Sequence, residues 1–226
     1  MNKLKELLIN PAYFARTELA KHIKQMSGHL SGRTLDVGCG NKPYKDFFNT
    51  TEYIGMDYEG VHDHSNENID VYYDGITFPF PENYFDSVVC TQVLEHVEHP
   101  QILISEIYRV LKPDGKALLT APLVWGEHEV PHDYTRFTSF GIKKIFEETG
   151  FLIIEQQKTL NDIRAGFQML NFYRFSSTWK SDRFFIIRLF TRSLFFAFNN
   201  ISGLILYYIF PKNDDFYIDN LIVAKK

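Results

Sequence analysis

Residues Leu35-Asp36-Val37-Gly38-Cys39-Gly40 run from an apolar stretch into a glycine turn, and Asp57 stands seventeen residues beyond Gly40 at the end of a second apolar stretch. Glycines at 38 and 40 let the backbone approach a ligand closely, because neither carries a Cβ. A carboxylate at the tip of the next strand can accept hydrogen bonds from both hydroxyls of a ribose. The chemistry expected is therefore binding of a nucleotide-type ligand. A helix is expected to open behind the turn, with Pro43 in its first turn.

A second group of reactive side chains follows much later. The string Glu127-His128-Glu129-Val130-Pro131-His132-Asp133-Tyr134-Thr135-Arg136-Phe137-Thr138 holds three acids and two histidines beside a tyrosine and an arginine. His132 or Asp133 can act as a general base toward a hydroxyl, if it comes within hydrogen-bond reach. His128, Tyr134 and Arg136 are candidates for contact with a substrate. Two other readings stay open: a loop ordered by its own salt bridges and a helix cap at Thr138, or a metal bound by His128, His132 and Asp133. No resident metal is expected, since no helix is expected to fix the ligand spacing.

Positioning these groups takes alternating strands and helices. The apolar runs at Thr34–Val37, Tyr53–Met56, Asn68–Tyr73, Tyr84–Cys90, Lys116–Ala121, Phe151–Glu155 and Phe216–Ala224 predict seven strands. Leu103, Ile104, Ile107, Val110 and Leu111 fall at helical spacing, which predicts a helix over Pro100–Leu111. Pro113-Asp114-Gly115 predicts a turn, and Thr138–Thr149 a helix capped at Thr138 or Ser139 and stopped at Gly150. The first thirty residues read as helical. Such alternation calls for a parallel, three-layer α/β sheet with ligands outside the carboxyl ends of the strands. The glycine turn, Asp57, Asp74, the Gln92–His96 stretch and the loop after Ala121 all fall at that edge.

Bulk properties narrow the class. The chain has 226 residues and a net charge of −4, which argues against a general nucleic-acid binder. Two cysteines, Cys39 and Cys90, are too few for a disulfide framework or a zinc site and suit a reducing cytoplasm. The N-terminal residues lack the apolar core of a signal peptide.

Three further strings complete the pattern. Asp74-Gly75-Ile76-Thr77-Phe78-Pro79-Phe80-Pro81-Glu82-Asn83-Tyr84-Phe85-Asp86 is followed by Val93-Leu94-Glu95-His96-Val97, then by Arg109-Val110-Leu111-Lys112-Pro113-Asp114-Gly115. With the glycine turn, these resemble the class I S-adenosylmethionine-dependent methyltransferases, in the branch that includes the quinone-biosynthesis methyltransferases. The resemblance covers about residues 30–158 and the last strand. It implies a Rossmann-like three-layer sandwich: a seven-stranded, mostly parallel sheet with an antiparallel last strand, here with a helical insertion before it. It also implies S-adenosyl-L-methionine as cofactor. Asp36, Gly38, Cys39 and Gly40 would line its methionine part. Asp57, with Tyr58 beside it, would hold the ribose. Asp74 and Gly75 would face the adenine, and Thr91, Gln92 and Glu95 would border the sulfonium. Two positions depart from the family pattern: Lys42 stands where many members have a third glycine, and Asp114 replaces the first glycine of a Pro-Gly-Gly turn.

The expected organisation is a helical segment at 1–30, the cofactor-binding domain at 31–158 plus 213–226, and an insertion at 159–212. The insertion carries Arg164, Arg174, Lys180, Arg183, Arg188, Arg192 and Lys212 against two acids, with ten of the 21 phenylalanines. Ser193–Phe210 is an uncharged run of eighteen residues. A membrane span is not expected, because a last strand completing the sheet would have to return from a single crossing. Helices on an anionic membrane surface are one reading, and a greasy lid or homodimer face is the other. The function expected is methylation of an oxygen or carbon on a small, apolar or lipid-linked acceptor, in the cytoplasm or on the inner face of its membrane. The rivals are a nicotinamide-dependent oxidoreductase on a similar sheet and a noncatalytic membrane-associated binding module.

Overall fold

The apolar runs around Val37, Met56, Cys90 and Leu119 lie beside one another as parallel strands, each buried where its side chains face the helices. The structure, a computed structural model, describes residues 3–60, 67–178 and 185–226. In chain order the elements are α1 (Lys3–Ile9), α2 (Tyr13–Met26), β1 (Ser31–Val37), β2 (Asn49–Tyr58), β3 (Val71–Tyr73), β4 (Phe85–Thr91), α3 (Pro100–Val110), β5 (Leu111–Pro122), α4 (Ser139–Thr149), β6 (Leu152–Thr159), α5 (Arg164–Thr178), α6 (Phe185–Leu206) and β7 (Asp219–Lys225). The sheet order is β3-β2-β1-β4-β5-β7-β6. β2, β1, β4 and β5 pair in parallel, and β7 runs antiparallel to β5. The expected sheet, with its reversed last strand, is the one observed.

The chain divides into two units: residues 1–19, 124–126 and 158–218 form one, and residues 20–123, 127–157 and 219–226 the other. In the second, the α3 stripe Leu103, Ile104, Ile107 and Val110 is buried with Leu35, Val88 and Leu119 of the sheet and Ile142 and Phe146 of α4. Each fully buried side chain of this size contributes about 1.5–3 kcal/mol. Thr138 caps α4 by accepting the Gly141 N–H at 3.0 Å, and Gly150 ends it with φ 103°.

Three expectations are corrected. No α-helix follows the glycine turn: β2 begins at Asn49, so the short connection holds only a 3-10 turn at Lys45–Phe47. A helix needs more residues than that stretch leaves it. The third strand is shorter than expected, Val71–Tyr73, because Asp70 turns its carboxylate onto the Gly55 N–H and Lys42. The Pro113-Asp114-Gly115 turn is a bulge within β5: Phe85 pairs with Leu111 but Ser87 with Lys116. Asp114 takes φ 65° there, and its carboxylate pairs with Lys225 at 2.6 Å.

In the first unit, Phe14, Leu160, Ala165 and Ile218 form the buried centre. The two asparagines that interrupt the apolar run of α6 have structural partners. Asn199 donates to Asn171, Asn171 donates to Asn200, and Asn200 donates to the Leu7 carbonyl at 2.7 Å. Gly203 lies against Phe14, whose ring would be 2.8 Å from a Cβ at that position. Arg164 is not a surface cation: it pairs with Asp162 and Glu18 and stacks over Tyr207. Lys180 and Arg183 of the basic segment lie outside the described residues, as does the side chain of Arg188. The outer side of α6 exposes Leu194, Phe198, Ile201 and Ile205, spaced as one helical face. Among the described residues no helix is long and apolar enough to cross a membrane.

Candidate active site

At the carboxyl end of β1 the chain turns through Gly38 at φ 66° and Gly40 at φ 48°. A Cβ on Gly38 would sit 2.3 Å from Val93 Cγ2, whereas one on Gly40 would meet nothing within 4 Å. The first glycine is therefore required for packing, and the second faces open space that a ligand can enter. Asp57, at the end of β2, accepts the Gly40 N–H on Oδ2 and the Tyr58 N–H on Oδ1, both at 2.9 Å. These bonds fix the carboxylate beside the glycine turn. Each carboxylate oxygen has two acceptor sites, so one N–H bond on each does not by itself exhaust them.

Asp36 is buried next to the turn, and the Tyr53 hydroxyl donates to its Oδ2 at 2.7 Å. Burial pushes its carboxyl up to about 7, against the opposing pull of the Tyr53 bond. Cys39 is buried, which raises its thiol to about 12 and makes it an inert packing group. Lys42, in the place of a third glycine, adopts φ 51°. A left-handed side-chain-bearing residue costs roughly 1–2 kcal/mol. Its stem folds over Gly55, where no Cβ obstructs it, and its Nζ pairs with Asp70 at 2.5 Å.

Asp74 is exposed, and its Oδ1 accepts the Ile76 and Thr77 N–H groups at 2.8 Å, so it orders its own loop. These bonds hold its carboxyl below the usual range. Gly75 takes φ 84°, and the ring of Tyr58 packs 3.2 Å from where its Cβ would stand.

β4 ends at Thr91. Gln92 then adopts φ 55°, and its backbone N–H and Nε2 both donate to the Thr120 hydroxyl. Backbone strain of this kind gathers at functional sites when neighbours enforce it. Three residues on, Glu95 is fully buried, and neither of its carboxylate oxygens has a hydrogen-bond partner. Burial pushes its carboxyl up to about 8, with Asp219 adding in the same direction.

The 127–138 loop is stitched to this segment. The Tyr134 N–H donates to the Glu95 carbonyl at 2.8 Å, and His96 Nδ1 donates to the His132 carbonyl at 2.6 Å. Asp133 grips Arg136 through both oxygens, at 2.6 and 2.7 Å, and accepts the His128 N–H. The guanidinium holds the Asp133 carboxyl well below the usual carboxylate range. His132 lies on the surface side, with Nδ1 3.1 Å from the Tyr134 hydroxyl.

The structure thus brings Asp36, Gly38, Cys39, Gly40, Asp57 and Tyr58 together at one strand edge. It brings Glu95, His128 and the Asp133–Arg136 pair together at another, and turns Asp74 into its own loop. Sequence reasoning missed three supports: Tyr53 for Asp36, Asp70 for Lys42 and Thr120 for Gln92. Only the second left a trace, a lysine where a glycine was expected.

Residues 35–119 match a family model described as a methyltransferase domain. This segment is a methyltransferase domain. An uncharacterised protein of Methanocaldococcus jannaschii is 28% identical over 146 residues, 61% of this chain and 62% of that one. A demethylmenaquinone methyltransferase of Anoxybacillus flavithermus is 26% identical over 145 residues, covering 56% of this chain and 61% of that one. The chain thus spans less than two thirds of either relative. A solved S-adenosylmethionine-dependent methyltransferase of Archaeoglobus fulgidus superposes with a TM-score of 0.58 at 19% identity, over 95% of this chain and 97% of that one. That likeness concerns the fold. The methyltransferase domain runs from β1 into β5, so it includes the glycine turn, Asp57 and Glu95.

Proposed function

We propose that the protein transfers a methyl group from S-adenosyl-L-methionine to an oxygen or carbon of a small, apolar or lipid-linked acceptor. The observation that carries this reading is the open space above Gly40, bordered by an Asp57 carboxylate already fixed on the Gly40 N–H. That cradle fits the cofactor: Asp57 would take the ribose hydroxyls, and Asp36, Gly38 and Gly40 would border its methionine part. When bound, the cofactor supplies an electrophilic methyl group on a sulfonium. The chain's own contribution is to hold the acceptor in line and keep water out.

His132 is the proton acceptor proposed for a hydroxyl substrate, because it is exposed and lies beside Tyr134 on the loop. Asp133 is proposed as a positioning residue. A carboxylate gripped at both oxygens by an arginine is a poor base. The acceptor class draws support from two observations: the quinone substrate printed in a relative's name and the exposed apolar face of α6. The same face supports contact with an anionic membrane surface.

Calorimetric titration tests the core of this reading. S-adenosylmethionine and its demethylated product should bind, and Asp57→Ala should weaken both by roughly 10–100-fold, the worth of hydrogen bonds to a charged group. Binding of NAD without S-adenosylmethionine would overturn it. Transfer of a labelled methyl group to a panel of quinols and phenols then sorts acceptors.

A further inference from the structure

Glu95 presents a problem that the methyl-transfer reading does not solve. Its side chain is 0% exposed, yet neither oxygen receives a hydrogen bond. An unpaired buried carboxyl costs several kcal/mol. Buried polar groups without partners in a folded protein call for a water, an ion or a functional role.

Two imidazoles stand beside it. One ligand atom each from Glu95, His96 and His128 lies within 4.8 Å of the others. His96 Nε2 is 3.9 Å from Glu95 Oε1 and 3.8 Å from Glu129 Oε2. The His96 ring is held by its other nitrogen, since Nδ1 donates to the His132 carbonyl at 2.6 Å. That bond keeps the proton on Nδ1 and turns the Nε2 lone pair toward the carboxylates. His128 also has a carboxylate near its Nδ1, though less tightly, with Asp133 Oδ2 3.4 Å away. Imidazoles that bind metals are oriented through their second nitrogen by a carbonyl or carboxylate in this manner. Acidic groups outnumber the cation around the site: Glu95, Asp219, Asp133 and Glu129 lie there, and Arg136, paired with Asp133, also faces Glu95.

We propose that Glu95, His96 and His128 bind one first-row divalent transition metal ion, with Glu129 at the solvent side as a further donor. Two imidazole nitrogens and a carboxylate suit Zn²⁺, Fe²⁺ or Mn²⁺ better than Mg²⁺ or Ca²⁺, which prefer oxygen alone. Bonds of about 2.1 Å place ligand atoms roughly 3 Å apart, so closure on the ion needs movements of about 1 Å. The ion would face an acceptor oxygen as a Lewis acid and lower its pKa. That use rests on the proposed methyl transfer, whereas binding of the ion does not. A metal here departs from the expectation of none and makes His96 a ligand.

The whole chain, stripped with a chelator, is titrated with Co²⁺ and followed by visible absorption and by metal content after dialysis. The expected result is one Co²⁺ per chain with ligand-field bands, displaced by Zn²⁺. Glu95→Gln, which keeps shape and burial, and His128→Ala, on the loop, should each weaken binding at least tenfold. His99→Ala, an exposed histidine outside the cluster, should bind as the parent does. If the folded parent binds no Co²⁺, or if both cluster variants keep its affinity and spectrum, the site does not exist. Should Glu95→Gln lose its circular dichroism, His128→Ala decides alone. Titration of the stripped protein with S-adenosylmethionine reports separately on the proposed function, so either reading can fail without the other.

Discussion

The hydroxyl of Tyr53 donates a 2.7 Å hydrogen bond to Oδ2 of Asp36, a carboxyl group with almost no exposure to water. Burial raises that carboxyl to about 7 from a usual value of 3.8, so the folded chain binds a proton there that the unfolded chain releases. Stability from this group is complete below about 4 and is lost as pH rises toward about 7. Urea denaturation should show the protein less stable at pH 8 than at pH 5, with a smaller difference in Asp36→Asn. Tyr53→Phe should cost roughly 1–3 kcal/mol by leaving the buried carboxyl without its donor. An identical pH slope in the parent and in Asp36→Asn would show that Asp36 does not titrate in this range.

The two glycines of the turn should behave differently. Gly38→Ala drives a methyl into Val93 and keeps a left-handed φ, so it should destabilise by roughly 2–5 kcal/mol. Gly40→Ala meets open space and should cost only about 1–2 kcal/mol of stability. Its methyl group would occupy the ligand's approach, so cofactor affinity should fall at least tenfold. Paired urea melts and calorimetry check both, and a Gly40→Ala protein with full affinity would remove the cofactor from this turn.

Much of this was legible in the sequence, and the failures have physical causes. The strands around Leu35, Val88 and Leu119 read correctly because these are short, fully buried apolar runs, a local signal. The bulge at Asp114 was legible as a turn but not as part of a strand, since pairing with Ser87 and Lys225 comes from the sheet. The helix behind Gly40 failed because its length was set by where β2 begins, and Asn49-Thr50-Thr51-Glu52 is too polar to announce a strand. The glycine turn and Asp57 could be paired from spacing alone. The meeting of Glu95, His96 and His128 could not, because it depends on how a later loop folds back across the strand ends.

His132 and Asp133 can be separated by experiment. Asp133→Asn breaks a half-buried bidentate pair with Arg136, which should lower stability by roughly 1–3 kcal/mol along with activity. His132→Ala removes an exposed ring and should leave the melting temperature within about 2 °C while lowering kcat. A turnover unchanged by His132→Ala would exclude it as the base.

The face of α6 gives a fourth prediction. Replacing Phe198 and Ile205 with aspartate should leave stability nearly unchanged, because both side chains are exposed. Sedimentation with anionic vesicles should fall sharply in the double variant if this face meets lipid. A parent protein that fails to sediment at low salt would instead leave the face to a second copy of the chain, which light scattering can detect.

The amide of Asn200 donates to the carbonyl of Leu7, a bond that joins residues 193 positions apart. During synthesis α1 therefore leaves the ribosome long before the helix that completes its packing exists. At about 5–20 residues per second the wait is roughly 10–40 s. Through that interval α1 waits without the helix that its Leu7 carbonyl bonds in the folded chain.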